Sequence, residues 1–297
     1  MKRKTLGYWL MIMAVLGTVA CKDKLDNTDE NELQKNEASI QNYLTTNNLS
    51  ATRDTSGLYF VKKQTNPQGT KPSVGDEVAV FYKLYTLDGV LFNTTDTAAK
   101  GPLRFPFGIN YLLPGMERGI SLMRSGEKMT LLLPFYLAFG NAPIPGSGSA
   151  PALPAYSPIR VEMELIDVRN EAKQIAEYVK QKDYFVSETT ASGITIIRQN
   201  TVAGDTLGKG KSATVNYVGK NLKDSQFDKG TFQFVTGTGG TVKGFDEGIR
   251  RMRKGEKAIL IFPSSLGYGP KGQTNQQQTA YVIAPYAPLV FEVEVTQ

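Results

Sequence analysis

Apolar positions follow three patterns along this chain. Residues 6–20 are almost uniformly apolar, with Trp9, Leu10, Met11, Ile12, Val15 and Leu16, and they follow the basic Lys2, Arg3 and Lys4. Fifteen such residues are short for a spanning helix and match the h-region of a signal peptide. Later, Ile40, Tyr43 and Leu44, and again Ile175, Tyr178 and Val179, stand at i, i+3 and i+4 in polar surroundings. That spacing predicts helices over residues 37–48 and 171–182, read here as linkers that lead into two domains. Elsewhere the period is two, predicting strands at residues 78–82, 128–133, 161–168, 213–217, 257–262 and 289–295. A short helix is predicted in each half, at residues 116–123 and 245–252. The sum is an α+β architecture of antiparallel sheets, each with one short helix against one face.

The pattern repeats. Ser56-Gly57-Leu58-Tyr59-Phe60-Val61 parallels Ser192-Gly193-Ile194-Thr195-Ile196-Ile197, and Val78-Ala79-Val80-Phe81-Tyr82 parallels Ala213-Thr214-Val215-Asn216-Tyr217. Pro114-Gly115-Met116-Glu117-Arg118-Gly119-Ile120 is echoed by Lys243-Gly244-Phe245-Asp246-Glu247-Gly248-Ile249, and Ile159 to Glu164 by Leu289 to Glu294. The offset of 217 − 82 = 135 becomes 244 − 115 = 129, so the second copy is shorter between Tyr217 and Gly244. A tandem duplication organises the chain. The division is residues 1–20 signal peptide, 21–36 tether, 37–170 first domain with its leading helix, and 171–297 second domain with its own.

Composition narrows the chemistry. The 297 residues contain no His and one Cys, which excludes histidine triads, imidazole metal sites and an internal disulfide. The single Cys21 ends the stretch Leu16-Gly17-Thr18-Val19-Ala20-Cys21, which resembles a bacterial lipobox, with Thr18 in place of the usual Leu. The resemblance implies lipidation at Cys21, a membrane anchor and a place in the cell envelope, on the periplasmic or surface side of the outer membrane. Cleavage near Ala20 with an incidental thiol, and a short N-terminal anchor, stay open as alternatives. Without Lys2, Arg3 and Lys4, 34 − 3 = 31 basic residues face 28 acidic ones, too small an excess to suggest nucleic acid. Residues 22–32 are polar and lack core formers, the composition of a solvated tether.

The second copy carries an ordered series: Val215-Asn216-Tyr217-Val218-Gly219, Phe227-Asp228, Phe232-Gln233-Phe234, Val242-Lys243-Gly244-Phe245-Asp246-Glu247-Gly248, Leu266-Gly267-Tyr268-Gly269 and Val290-Phe291-Glu292-Val293. In order and spacing it closely resembles the FKBP-type peptidyl-prolyl cis-trans isomerases, and residues 71–170 resemble the same family more loosely. The resemblance implies two FKBP-like domains, each a twisted antiparallel sheet wrapped on one short helix, acting on proline-containing polypeptide clients without metal or cofactor. It implies Tyr217, Phe227 and Phe291 as pocket walls, Phe245 as floor, Ile283 as far rim and Phe232 as a further site residue. It also gives the Val242 N–H and the Tyr268 hydroxyl as donors to the substrate chain, and Asp228 as the carboxylate beside the carbonyl before proline. A solvated turn is the other reading of Asp228.

The first copy departs from this set. Tyr82 and Phe92 remain, with Leu113 where Val242 stands, but Asn93 replaces the acid, Leu103 an aromatic, Met116 the floor, Phe139 the hydroxyl donor and Val161 the last Phe. This degenerate pocket is expected to bind apolar chain with little or no isomerase activity. Its loop at residues 140–158, rich in Pro and Gly, is expected to be a mobile flap. The reading is therefore an envelope folding helper catalysing mainly through its C-terminal domain. The alternative is a non-catalytic client-binding or assembly lipoprotein.

Overall fold

The structure, a computed structural model, describes residues 27–95, 101–146 and 151–296. The signal segment and Cys21 lie outside the described residues. No helix among the described residues is long and apolar enough to cross a membrane.

Each repeat folds into one antiparallel sheet. In the first, β1 (Thr52–Arg53), β2 (Tyr59–Gln64), β3 (Glu77–Thr86), β4 (Leu91–Thr94), β5 (Leu103–Pro106), β6 (Glu127–Leu133) and β7 (Ile159–Arg169) pair in the order β1-β2-β6-β7-β3-β4, with β5 also on β3. In the second, β8 (Glu188–Thr189), β9 (Thr195–Arg198), β10 (Ser212–Asn221), β11 (Gln226–Val235), β12 (Lys257–Phe262) and β15 (Leu289–Val295) pair as β11-β10-β15-β12-β9-β8. A separate hairpin joins β13 (Gln273–Thr274) and β14 (Tyr281–Ile283). The six-residue difference between repeats sits where β4 and β5 of the first are replaced by the single strand β11.

Alternation in β3 and β10 turns Val78, Val80 and Leu84, and Ala213 and Val215, into the core. Against that face lies one short helix per repeat, α2 (Pro114–Ser121) and α4 (Lys243–Arg250). Both begin two residues before the predicted start. Pro114 suits the first helical position, whose N–H has no partner within the helix. Phe245, Ile249 and Met252 are buried together against Leu260, Phe262 and Val293. The helix comes this close only because Gly244 and Gly248 face the sheet. A Cβ at either would stand 2.5 Å from Phe262 or Leu260.

The leading helices are not linkers. α3 (Glu171–Gln181), capped by the Asn170 side chain accepting from Lys173 N–H at 2.8 Å, packs Ile175 and Tyr178 on Ile197, Ile259, Ile261 and Val290. These last residues face away from α4, so the second sheet is covered on both faces. α1 (Asn27–Thr46) does the same for the first, placing Ile40 and Leu44 on Tyr59 and Leu132.

α1 begins ten residues before the predicted Glu37, so the second half of the expected 21–36 tether is helix. Its anchor is Asn36, which is buried, accepts from Phe135 N–H at 2.9 Å and donates to Tyr156 O at 2.9 Å. Those partners lie about a hundred residues away in sequence, so composition near residue 30 gives no sign of them. The expected flap at 140–158 is likewise held at its base: Ile144 and Leu153 exchange backbone bonds, Leu153 is buried, and Tyr156 stacks edge-on to Phe135.

Candidate active site

The second repeat packs most of the nominated residues together on the α4 side of its sheet. Phe245 projects from the first turn of α4 and is buried. Its ring centroid lies 5.2 Å from Phe291 on β15, 5.9 Å from Tyr217 on β10 and 5.9 Å from Phe234 on β11. Phe227 closes the group at 5.7 Å from Phe291. Most of these pairs meet edge to face, the favourable arrangement for ring quadrupoles. Ile283, on β14, is buried in the same core cluster and brings the β13–β14 hairpin to the pocket.

Phe232 stands apart. It shares the inner face of β11 with Phe234 but is 39% exposed, and the only ring it meets among the described residues is Phe234, at 5.6 Å. Phe234 is the ring that reaches the floor, so the nominated site residue on β11 gives way to the one two positions along the strand. Period-two alternation puts both rings on one face. Only the position of α4 decides which is covered. Phe262, stacked on Phe291 at 5.7 Å and 8°, supports the cluster from behind and was also not nominated.

Polar groups around the pocket are few. The Tyr217 hydroxyl donates to Asp228 Oδ2 at 2.9 Å, and Asp228 Oδ1 accepts from Lys229 N–H at 2.8 Å. Burial raises the Tyr217 phenol above its ordinary range, and the bond to Asp228 and its charge raise it further. Tyr268, in the turn after β12, is raised by burial and then by the same carboxylate. The Tyr268 hydroxyl and the Val242 N–H, at the residue capping α4, make no hydrogen bond to any described atom. Both donors are available to a bound chain. Asp246, within α4, accepts from Gly237 N–H at 2.7 Å and holds the preceding loop against the helix.

The first repeat keeps a groove with some of these rings but not the aromatic floor or the carboxylate. A cavity of about 430 Å³ is bounded by Tyr82, Leu84, Phe92, Asn93, Leu113, Met116 and Phe139, with Tyr111 at its edge. The Tyr82 hydroxyl donates to Asn93 Oδ1 at 3.2 Å, the neutral counterpart of the pair in the second repeat. Phe92 and Phe139 meet edge-on at 5.3 Å. Leu103 packs at the margin of this core and Val161 is buried within it. Tyr111 was missed by sequence reading. It follows Asn110, whose φ of 56° turns the chain, and its ring stacks on Phe105 at 4.9 Å, returning one aromatic to the groove.

Chemically, the second pocket offers no activated nucleophile. It offers an apolar cluster of rings with two donors and a carboxylate beside it, groups suited to contacting a small cyclic side chain and the amide next to it.

A family profile described as FKBP-type peptidyl-prolyl cis-trans isomerase matches residues 68–166 and 204–296. Human peptidyl-prolyl cis-trans isomerase FKBP9 is 29% identical over 223 residues, 75% of this chain and 35% of that protein. FKBP53 of Arabidopsis thaliana is 39% identical over 97 residues, 31% of this chain and 19% of its own length. The crystal structure of the three FKBP domains of wheat FKBP73 superposes with a TM-score of 0.42 at 20% identity, covering 84% of this chain and 98% of that one. The chain spans about a third of the length of human FKBP9.

Proposed function

Because the chain belongs to the FKBP-type peptidyl-prolyl cis-trans isomerase family, with two such domains in tandem, we propose that its second domain catalyses rotation about X-Pro bonds in polypeptide clients. The observation that carries this reading is the cluster of rings around Phe245 with two unused donors, Val242 N–H and Tyr268 hydroxyl, beside it. Rotation about an X-Pro amide faces a barrier of about 18–20 kcal/mol and breaks no bond. The twisted amide loses resonance and polarity, so a dry aromatic site stabilises it more than the planar ground state. Phe245, Phe291, Tyr217, Phe227 and Phe234 hold the ring of proline. Val242 N–H and Tyr268 fix the chain on either side, and Asp228 lies beside the carbonyl that turns.

The first domain, in this reading, binds without turning over. Its groove is retained, but the carboxylate, the hydroxyl donor and the aromatic floor are absent. The chain acts on exported clients from the cell envelope, held to a membrane by a lipid on Cys21, with Lys2 to Cys21 as the segment that supports this. Loss of labelled fatty-acid incorporation in Cys21→Ser, against retention in the parent chain, tests the anchor.

The activity is tested by cis-to-trans relaxation of a short X-Pro peptide with the full chain. Removing one buried ring forfeits about 2–3 kcal/mol, so Phe245→Ala is expected to lower efficiency by about 30-fold or more. Met116→Ala in the first groove is expected to leave it unchanged. No acceleration by the folded parent chain, or equal loss in both variants, would sink the assignment to the second domain and leave client capture by the paired grooves as the account.

A further inference from the structure

The two repeats differ at one cross-strand pair in a way that moves side-chain volume from one strand to the other. In the second repeat Gly219 on β10 is the direct partner of Phe291 on β15. In the first, the same place in the ladder pairs Leu84 on β3 with Val161 on β7. Both first-repeat residues are buried, and Leu84 lines the groove beside Tyr82 and Phe92.

Gly219 is not required by its backbone. Its φ lies outside the left-handed region, so a side chain is compatible with the conformation. Nor is it required by the irregularity that follows it. The ladder shifts register between Gly219 and Lys220, but it shifts equally between Leu84 and Tyr85, where no glycine is present. What the glycine supplies is room. A Cβ there would stand 2.7 Å from Phe227 Cε2 and 3.0 Å from Phe291 Cε1, closer than packed side chains approach. Two of the pocket's rings lean over this bare stretch of backbone. Phe291 is also the ring through which the others meet, with Phe245, Tyr217, Phe227 and Phe262 all within 6.2 Å of its centroid.

We propose that Gly219 and Phe291 form a compensating pair that decides in which repeat the rings converge on one central aromatic of the sheet, with Gly219 a positioning residue that acts through the rings of Phe227 and Phe291. This rests on the reading that the second groove is the catalytic one. In the first repeat Leu84 fills the space opposite Val161, where no ring stands, so restoring an aromatic at Met116 alone does not recreate the convergence of rings. The exchange of Gly–Phe for Leu–Val keeps a side chain in the space while removing the ring on which the others converge.

The test uses the full chain and three variants, Gly219→Leu, Phe291→Val and the double Gly219→Leu/Phe291→Val. Thermal midpoints and the kcat and KM for an X-Pro peptide are measured for each. Both single variants are expected to lower the midpoint, one by crowding and one by a cavity. The double variant is expected to recover most of the midpoint while its efficiency stays at least tenfold below the parent, with the loss in kcat. A role confined to structure predicts instead that activity returns with stability. Return of activity in the double variant, a midpoint no higher than that of the worse single variant, or unchanged activity in Gly219→Leu would each overturn the proposal. An inactive parent chain would remove the catalytic reading itself, and the pair's role with it, a result distinct from an active parent whose variants fail to compensate.

Discussion

The phenols of Tyr217 and Tyr268 show how a site without histidine is kept in one protonation state. Burial disfavours the phenolate in both, and the nearby Asp228 charge adds to the effect. A raised pKa means that each proton is retained through the ordinary phenol range, near pH 10. Isomerase efficiency is therefore expected to be level from neutral pH upward and to fall only above about pH 10. A decline centred between pH 8 and 9 in a pH–rate profile would show that some other group controls the site. If Tyr268 donates to a bound carbonyl as proposed, Tyr268→Phe is expected to cost about 1 kcal/mol, roughly fivefold in efficiency.

At this scale the sequence was informative where residues are linked by short-range order. Phe227-Asp228, Val242 with Phe245, and Tyr268 were legible because each motif is local and the motifs keep their order. Phe234 was not distinguished from Phe232, since both occupy one face of β11 and only the covering helix separates them. Tyr111 lay outside any motif, and its place at the first groove depends on a left-handed turn at Asn110.

Among elements, the leading helices have a part that their amphipathic pattern did not disclose. Asn36 in α1 accepts from the N–H of Phe135, and Glu171 in α3 accepts from the N–H and, at 2.7 Å, from the hydroxyl of Ser264. Phe135 and Ser264 occupy matching positions, each just past the proline that ends β6 or β12. Four residues later come Phe139 and Tyr268. Each leading helix thus fixes the turn that delivers a residue to its groove. Ser264 is buried, so Glu171→Ala would leave its N–H unpaired at a cost of about 1–3 kcal/mol. A lower thermal midpoint and a lowered kcat are expected, with partial retention of both in Glu171→Gln. A Glu171→Ala chain as stable and active as the parent would show that α3 merely rests on the sheet. These helices could be seen in the sequence as helices, from Ile175, Tyr178 and Val179. Their attachment could not, because the polar partner lies far along the chain.

In the whole molecule, the domains meet through a residue close to the candidate site of the second domain. Tyr286 follows Ile283 in the second domain, donates its N–H to Gly269 O at 2.9 Å and so braces the residue after Tyr268. Its ring lies against Gly75 of the first domain, where a Cβ would stand 2.6 Å from Tyr286 Cδ1. Gly75, at φ +92°, is fixed in turn by its N–H to Phe107 O at 3.0 Å. Arg169, at the end of β7, pairs with Glu77 of β3 and with Glu177 of α3. The first domain therefore buttresses the turn that carries Tyr268. Tyr286→Ala is expected to lower efficiency severalfold and to raise the rate at which protease cuts between the domains. Unchanged cleavage and activity would show that the contact is incidental. The duplication itself was legible from the paired motifs, whereas this contact joins residues that neither repeat shares.

The passage from β7 to α3 uses a single residue, Asn170, which is also the cap of the helix. A loop of ordinary length would absorb an inserted or deleted residue as slack. Here each added residue would turn α3 by about 100° about its own axis and carry Ile175 and Tyr178 off the sheet. Length at this joint is thus equivalent to angle: a change of residue at Asn170 forfeits a cap, whereas a change of count displaces the whole face of the helix.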